Sequence, residues 1–397
     1  MARQTQIRIC REGLYYSIVV LAVLIGAVSR QLNLLMLLGS ALAGPLLFSF
    51  VYGRFILRRL SVERKLPSEL RADQRLIVDL NVKNSRRWAV AWMVEVEDAV
   101  AREGEPTVVD GRASVQVFLP QVGVRETRHT TYEGFLPRRG RYRFGPLRVS
   151  TRFPLGLVRH SVVLDTSEML LVHPRLGELT HDWARELREN AGGSQRMQRR
   201  GLLETDFYGL RDWRAGDSRH WIHWRTSARR GTLVVRQFEQ RRSEDLALLV
   251  DLWQPSEPSE HHFENVERAI TFVATVIAQA CRKPGHNLIL SLAAHEPLHR
   301  SGSASPLFFR DQMDALAMAA PHHETSFPPA LGHALALLPP STPTLIVSTR
   351  PIDWEALRRL AAQRNVPLAE RLVQSVNVAS DELDRYFRAG SPRSSVS

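Results

Sequence analysis

Between Gly209 and Glu239 the sequence reads GLRDWRAGDSRHWIHWRTSARRGTLVVRQFE, a density of Arg, Trp and Asp that neither helix nor strand patterning requires. Arg211, Arg219, Arg225 and Arg229 have Asp212 and Asp217 as their chief acidic neighbours, so bidentate guanidinium–carboxylate pairing is the favoured chemistry. From Arg196 to Arg242 there are twelve arginines against five acids, a net of +7. Internal pairing cannot absorb them all, so basic surface remains for a carboxylate, a phosphate or an acidic loop. Ala215-Gly216-Asp217 reads as a turn. Trp221 to Arg229 reads as a short helix, with Ile222, Trp224 and Ala228 as its apolar contacts. Gly231 follows as a left-handed cap, and Thr232 to Phe238 as a strand. Arg211, Trp213, Gly216, Asp217, Arg219, Trp224 and Arg229 are thus the candidate site. They form a structural clasp, a partner-binding face, or both.

Other residues that invite chemistry carry less. His220-x-x-His223 and His261-His262-x-Glu264 suggest zinc, but neither brings a third ligand at a zinc-site spacing. Cys10 and Cys281 are the only cysteines, which excludes a disulfide framework and a Cys-ligated zinc site. The chain has no Gly-x-Ser-x-Gly nucleophile elbow and no phosphate-cradling Gly-x-x-x-x-Gly-Lys-Ser/Thr loop. Asp251, Ser348 and Thr349 offer oxygens at one sheet edge, a thin set for a hard cation. No catalytic residue, metal or cofactor is assigned. The interleaved Arg and Trp between Trp213 and Arg225 could stack bases, so nucleic acid is a minor alternative.

What must position these residues follows from the rest of the chain. At 397 residues it has room for two or three domains. Its 53 Lys+Arg against 41 Asp+Glu leave a net charge of +12, which favours anionic partners. Gly13 to Ser29 and Gln31 to Gly53 are uncharged and mostly apolar, with only Arg30 between them. At helical rise they reach roughly 25 and 35 Å, against a hydrocarbon core of about 30 Å. The pair predicts a transmembrane helical hairpin over residues 1–60. Arg3, Arg8 and Arg11 precede it; Arg54, Arg58, Arg59, Arg64 and Lys65 follow. Both ends are therefore expected in the cytosol. The competing reading makes Met1–Ser29 a signal peptide, with Ala27 and Ser29 as its small residues.

Residues 61–170 predict an all-β, sandwich-like module. Leu76, Val78, Leu80 and Val82 alternate on one face. So do Trp88, Val90, Trp92, Val94 and Val96, and then Val115, Val117 and Leu119. Residues 171–242 hold a polar linker (Glu189 to Gly201) and the Arg/Trp segment. Residues 243–390 alternate strand and helix: Leu246 to Asp251, a helix through Phe263, Val266, Ile270, Val273 and Ile277, then Asn287 to Ala293, Phe309 to Ala319 and Thr344 to Thr349. A helix through Trp354, Leu357, Leu360 and Ala361 closes the series. That pattern predicts a doubly wound sheet. Residues 391–397 read as a disordered tail.

The Arg/Trp segment resembles the signature of the domain-of-unknown-function 58 family, and the Arg-Gly-Arg-Tyr, Gly-Pro and Pro-x-Gly-Leu series from Arg138 to His160 resembles that family too. The likeness implies a membrane-anchored protein whose C-terminal module is similar to a von Willebrand factor A domain. In that fold an Asp-x-Ser-x-Ser motif binds metal, whereas here Asp251-Leu252-Trp253-Gln254-Pro255 lacks both serines. The resemblance further implies a non-enzymatic adaptor beside a MoxR-type AAA+ ATPase and transglutaminase-like membrane proteins. The alternatives are a metal-assisted hydrolase at Asp251, or binding of nucleic acid or acidic lipid.

Overall fold

A computed structural model describes residues 3–104, 113–183, 185, 207–214, 217–238, 245–282, 285, 287–325, 328–338, 342–363 and 373–390. The chain divides into two compact units, residues 1–173 and 174–392, with residues 393–397 grouped with the first. The linker expected over Glu189 to Gly201 and the tail at 391–397 lie outside the described residues.

In the first unit, α1 (Arg11–Arg30) and α2 (Asn33–Leu57) are, among the described residues, the two helices long and apolar enough to cross a membrane. They turn at Gln31-Leu32, where Gln31 has φ 51°. Gly13, Val20 and Ala27 are the buried positions of α1, a seven-residue spacing that runs down one side of a helix. Leu, Ile and Val on the other sides are largely exposed. Pro45 inside α2 removes one backbone donor. Close to it the Tyr16 hydroxyl donates to the Leu42 carbonyl at 2.8 Å, and Ser49 Oγ donates to the Pro45 carbonyl at 2.8 Å.

Before α1, β1 (Arg3–Ile9) pairs antiparallel with β9 (Val158–Leu164). The sequence reads these residues as a basic flank, because two arginines and two glutamines interrupt the alternation there. Between α2 and β9 lie β2 (Leu60–Lys65), β3 (Leu70–Arg71), β4 (Arg75–Asn84), β5 (Ala91–Arg102), β6 (Ala113–Val122), β7 (Thr127–Phe135) and β8 (Gly140–Thr151). β10 (Glu168–His173) follows β9. They form a three-stranded sheet, β2-β4-β7, and a seven-stranded sheet, β1-β9-β8-β10-β3, with β5 paired to β6 and β8. One core joins them: Val62, Leu76, Val78, Leu80 and Val82 from the small sheet, Val94, Val96, Phe144, Leu147 and Val149 from the large one. The alternation expected in β4 is therefore present: Leu76, Val78, Leu80 and Val82 are buried, and Ile77 between them is exposed.

β5 departs from its reading. Met93 has φ 50°, which breaks the period of two, so Ala91 and Val94 are both buried while Trp92 is 39% exposed. Trp88 precedes the strand and is 92% exposed. The end of α2 belongs to this unit's core, with Gly53, Ile56 and Leu57 buried. Gly53 has to be Gly, because a Cβ there would collide with the His160 ring. His160 Nε2 donates to the Ser49 carbonyl at 3.1 Å. Burial pushes the His160 imidazole below its ordinary value, against the opposing effect of that bond.

The second unit is built on a five-stranded sheet. Its strands are β14 (Leu246–Asp251), β15 (Asn287–Ala293), β16 (Leu298–Ser303), β17 (Thr344–Ser348) and β18 (Val373–Asn377), in the order β16-β15-β14-β17-β18. All pairings are parallel except β15 with β16. β14 is buried on both faces, as a central parallel strand must be. Leu246, Leu248 and Val250 pack with Ala269, Ile270, Val273 and Ile277. Ala247 and Leu249 pack with Leu331, Leu335, Leu357 and Ala361 on the opposite face. The helices concerned are α4 (Glu260–Ala280), α6 (Pro329–Leu337) and α7 (Trp354–Gln363). α3 (Trp224–Arg230) belongs to the Arg/Trp segment, and α5 (Pro306–Met318) and α8 (Glu382–Tyr386) complete the set. β12 (Phe207–Asp212) and β13 (Val234–Phe238) form a separate two-stranded ribbon, and β11 (Glu178–Leu179) pairs with β19 (Phe387–Arg388).

Candidate functional site

The Arg/Trp segment folds as one small motif. β12 and β13 pair antiparallel, and a single turn of tighter helix, Arg219–Trp221, leads into α3. His223 is the N-cap of α3: its Nδ1 accepts from the Thr226 amide at 3.3 Å. Gly231 closes α3 with φ 69°, and its amide donates to the Ser227 carbonyl at 2.9 Å. That is the left-handed cap the sequence predicts. Ser227, buried, accepts from the Val234 amide at 2.9 Å and so ties α3 to β13.

Arg211 and Asp217 pair bidentately, Nη1 to Oδ2 and Nη2 to Oδ1, both at 2.7 Å. The Arg214 amide adds a bond to Asp217 Oδ2 at 2.8 Å. The Arg211 guanidinium, then the Arg214 amide, hold the Asp217 carboxyl below the usual carboxylate range. The same bond raises Arg211. Here the structure builds the pairing that the residue types favour. Gly216 lies outside the described residues.

The remaining candidates point outward. Trp213 is 38% and Trp224 66% exposed, and Arg219 and Arg229 are exposed as well. Among the described residues no carboxylate pairs with Arg219, Arg225 or Arg229. Trp224 and Ala228 are not the apolar contacts the helical spacing suggests; only Ile222 is buried, bridged to Val235. The reason is length. A helix of two turns beside a two-stranded ribbon has one narrow side to bury, and Ile222 with Ser227 fills it.

A second cluster stands where β14 and β17 end, at the edge where ligands of such sheets usually bind. Asp251, 2% exposed, accepts from His322 Nε2 at 2.7 Å, from Arg350 Nε at 3.0 Å and from Ser348 Oγ at 3.1 Å. Thr349 Oγ1 donates to the Trp253 carbonyl at 2.6 Å. The stretch after Asp251 lacks both serines of the metal-binding motif, and Ser348 of β17 brings a hydroxyl to it instead. His322 and Arg350 are residues it misses, since they stand 71 and 99 positions away with no local pattern to mark them. His322 Nδ1 accepts from the Glu324 amide at 3.3 Å, so its two nitrogens are both committed. Arg350 Nη1 donates to the Glu324 and Thr325 carbonyls, and its guanidinium lies 5.3 Å from the Trp253 ring.

Chemically, Asp251 is a carboxylate whose two oxygens are engaged by three donors, one of them cationic. A hard cation would need those oxygens and further ones, and the guanidinium already supplies the positive charge. No group of three or more His, Cys, Asp or Glu side chains suited to a metal occurs among the described residues. His262 Nδ1 is taken up by capping α4, where it lies 2.7 Å from Ser259 Oγ, and His261 lies 3.6 Å from Glu264 at the surface.

Residues 209–375 match the family described as protein of unknown function DUF58. That span opens within the Arg/Trp ribbon and closes in β18, so it contains both clusters. The uncharacterized protein YeaD of Bacillus subtilis (strain 168) is 26% identical over 208 residues, which is 52% of this chain. The alignment covers 51% of YeaD, so the chain spans about half the length of the curated relative it matches. Both findings support the DUF58 family. Among solved structures, the CARDB domain of a Pyrococcus furiosus protein is 14% identical over 27% of this chain and 94% of its own, with a TM-score of 0.18. A beta-glucosidase from Listeria innocua, in complex with isofagomine, is 15% identical over 28% of this chain and 16% of its own, with a TM-score of 0.19. Likenesses this slight carry no argument about fold or activity.

Proposed function

We propose that this chain is a non-enzymatic adaptor, held in the bacterial inner membrane by α1 and α2, that docks a protein partner through its Arg/Trp motif. The observation that carries the reading is the split within that motif. One pair, Arg211–Asp217, is closed on itself and shapes the turn. Trp213, Trp224, Arg219 and Arg229 stay at the surface, and exposed Trp beside Arg is the composition of interface hot spots. On this reading the five-stranded unit is a von Willebrand factor A-like module whose strand-end metal site has been replaced by the Asp251–Arg350 pair. The strands of the first unit are a sandwich-like spacer at the membrane, and the second unit faces the cytosol.

The partner that the family likeness suggests is a MoxR-type AAA+ ATPase acting with transglutaminase-like membrane proteins in protein assembly or maturation. Nucleotide hydrolysis then belongs to the partner. Affinity capture of the full chain from detergent-solubilised membranes tests the proposal. The ATPase is expected to be recovered with the wild type and at least about tenfold less with Trp224→Ala or Arg219→Glu, the loss of one hot-spot contact. Absence of an ATPase with the wild type, or equal recovery with both variants, sinks it.

A further inference from the structure

A guanidinium stands unanswered where α2 meets the first β strands. Arg86 is only 5% exposed, and its Nε and Nη1 find no hydrogen-bond partner. An orphaned cation in that position is costly unless something else satisfies it. Its guanidinium lies 3.8 Å from the Phe55 ring centre on the last turn of α2. Cation–π contact compensates part of the charge, but supplies no acceptor for these N–H groups. Burial, then the like charge of Arg59, lowers the Arg86 guanidinium from its usual range, against a smaller opposing effect of Tyr52. Arg59 is tied to the same place, since its carbonyl accepts from the Ser85 amide at 3.1 Å.

Among the described residues no carboxylate pairs with either arginine. Glu126, whose carbonyl accepts from the Asn84 amide, has its carboxylate committed to the Gly123 amide at 2.5 Å and to Arg128. Two adjacent cations without a carboxylate, one of them lacking acceptors, describe a place for an anion. The surroundings say which kind. Arg87 and Trp88 are exposed beside Arg86, Trp88 at 92%. From α2 a ladder of rings, Phe48, Tyr52, Phe153 and Trp92, runs at centroid distances of 5.0, 5.5 and 6.1 Å. Trp and Tyr next to basic side chains at the end of an apolar helix match the headgroup layer of a bilayer.

We propose that Arg86 and Arg59 hold the phosphate of an anionic membrane lipid at the foot of α2, with Trp88 seated among the headgroups. Phosphate oxygens supply the acceptors the guanidinium lacks. Phe55 is 52% exposed, so rotation of one surface ring opens the group to the lipid. This rests on the membrane-anchoring reading above.

The test uses the full chain in phosphatidylcholine nanodiscs containing a minor fraction of phosphatidylglycerol. After release into detergent, retained lipids are weighed by native mass spectrometry. Phosphatidylglycerol is expected to be enriched about tenfold over its bulk share, as one charge-assisted contact would give. Arg86→Gln and Arg59→Gln should each lose the enrichment. Arg75→Gln, at the opposite end of β4, should keep it. Because Arg59 is exposed, its variant keeps the wild-type unfolding midpoint and separates lost binding from lost folding. No enrichment with the wild type, or enrichment surviving both substitutions, overturns the proposal. So does inorganic phosphate displacing the retained lipid at millimolar concentration, which would assign a soluble anion instead. Protein that washes off alkaline-treated vesicles would refute the anchoring itself. A stably embedded chain without enrichment refutes only the lipid site.

Discussion

Asp98 in the first unit and Asp251 in the second are each almost wholly buried and each paired with an arginine, but they are held in opposite ways. Asp98 sits mid-strand in β5. It accepts from Arg64 Nη1 at 2.6 Å and from the Tyr132 hydroxyl at 2.7 Å, and both donors come from the small sheet. Arg64 Nη2 then reaches the Phe144 and Thr166 carbonyls, each at 3.1 Å. The pair is a bolt between two sheets, and its side chains are 0% and 1% exposed. Asp251 is the last residue of its strand. Two of its three donors, His322 and Arg350, come from outside the strands, and Arg350 is 15% exposed. The same ion pair closes a core in one unit and trims a sheet edge in the other. Burial alone therefore does not tell a functional carboxylate from a structural one; what matters is whether water can reach the pair.

That comparison is broken most directly at Arg64. Arg64→Met leaves a charged Asp98 between two sheets, at a cost of about 3–5 kcal/mol. Tyr132→Phe removes one neutral donor and costs about 1–3 kcal/mol. Denaturant unfolding of the detergent-solubilised chain measures both. Burial, then the bond to Asp98, pushes the Tyr132 phenol far above its ordinary range, and Arg64 opposes the shift, so Arg64→Met should gain no tyrosinate signal from Tyr132 below strongly alkaline pH. A cost under about 1 kcal/mol for Arg64→Met would mean that Asp98 finds water, and the contrast between the two aspartates would vanish.

Arg350→Ala sharpens it. Asp251 keeps His322 and Ser348, and the vacated space opens at the strand end, so the expected cost is about 1–3 kcal/mol. The order Arg64 above Arg350 is the critical result, in the same unfolding assay. Equal losses would show that the strand-end pair is as sealed as the inter-sheet one. The variant also frees one Asp251 oxygen from its cation. A Mg²⁺-dependent rise in unfolding midpoint that appears in Arg350→Ala and not in the wild type would identify the guanidinium as the occupant of a cation position.

How legible each region was in the sequence follows from the same geometry. The alternation in β4 and the apolar run of β14 could be read because each repeats over five or more adjacent residues. Arg211 with Asp217 and the Gly231 cap were legible because their partners are local, six and four residues apart. Trp92 misled because one left-handed residue, Met93, separates its face from that of Val94, and Met does not advertise that conformation; Trp88 misled because it precedes the strand. Arg64–Asp98 and Asp251–His322–Arg350 could not be found, since topology rather than spacing brings those residues together. β1 was hidden by charge: arginines that flank a helix and arginines that edge a sheet look alike in a sequence.

The smallest effect belongs to Arg211–Asp217, which is local and at the surface, and its signature is pH dependence rather than size. The Asp217 carboxyl is held below the ordinary carboxylate range in the folded chain. The pair therefore contributes in full above that range, and its contribution disappears as pH falls through the depressed folded value. In Asp217→Asn the pair is missing at every pH. Hydrogen exchange across Phe207 to Phe238, corrected for intrinsic rates, should show wild-type protection falling toward the Asn variant only on acidification. The two proteins should differ at neutral pH. If the variant matched the wild type at neutral pH, the pair would not shape the turn.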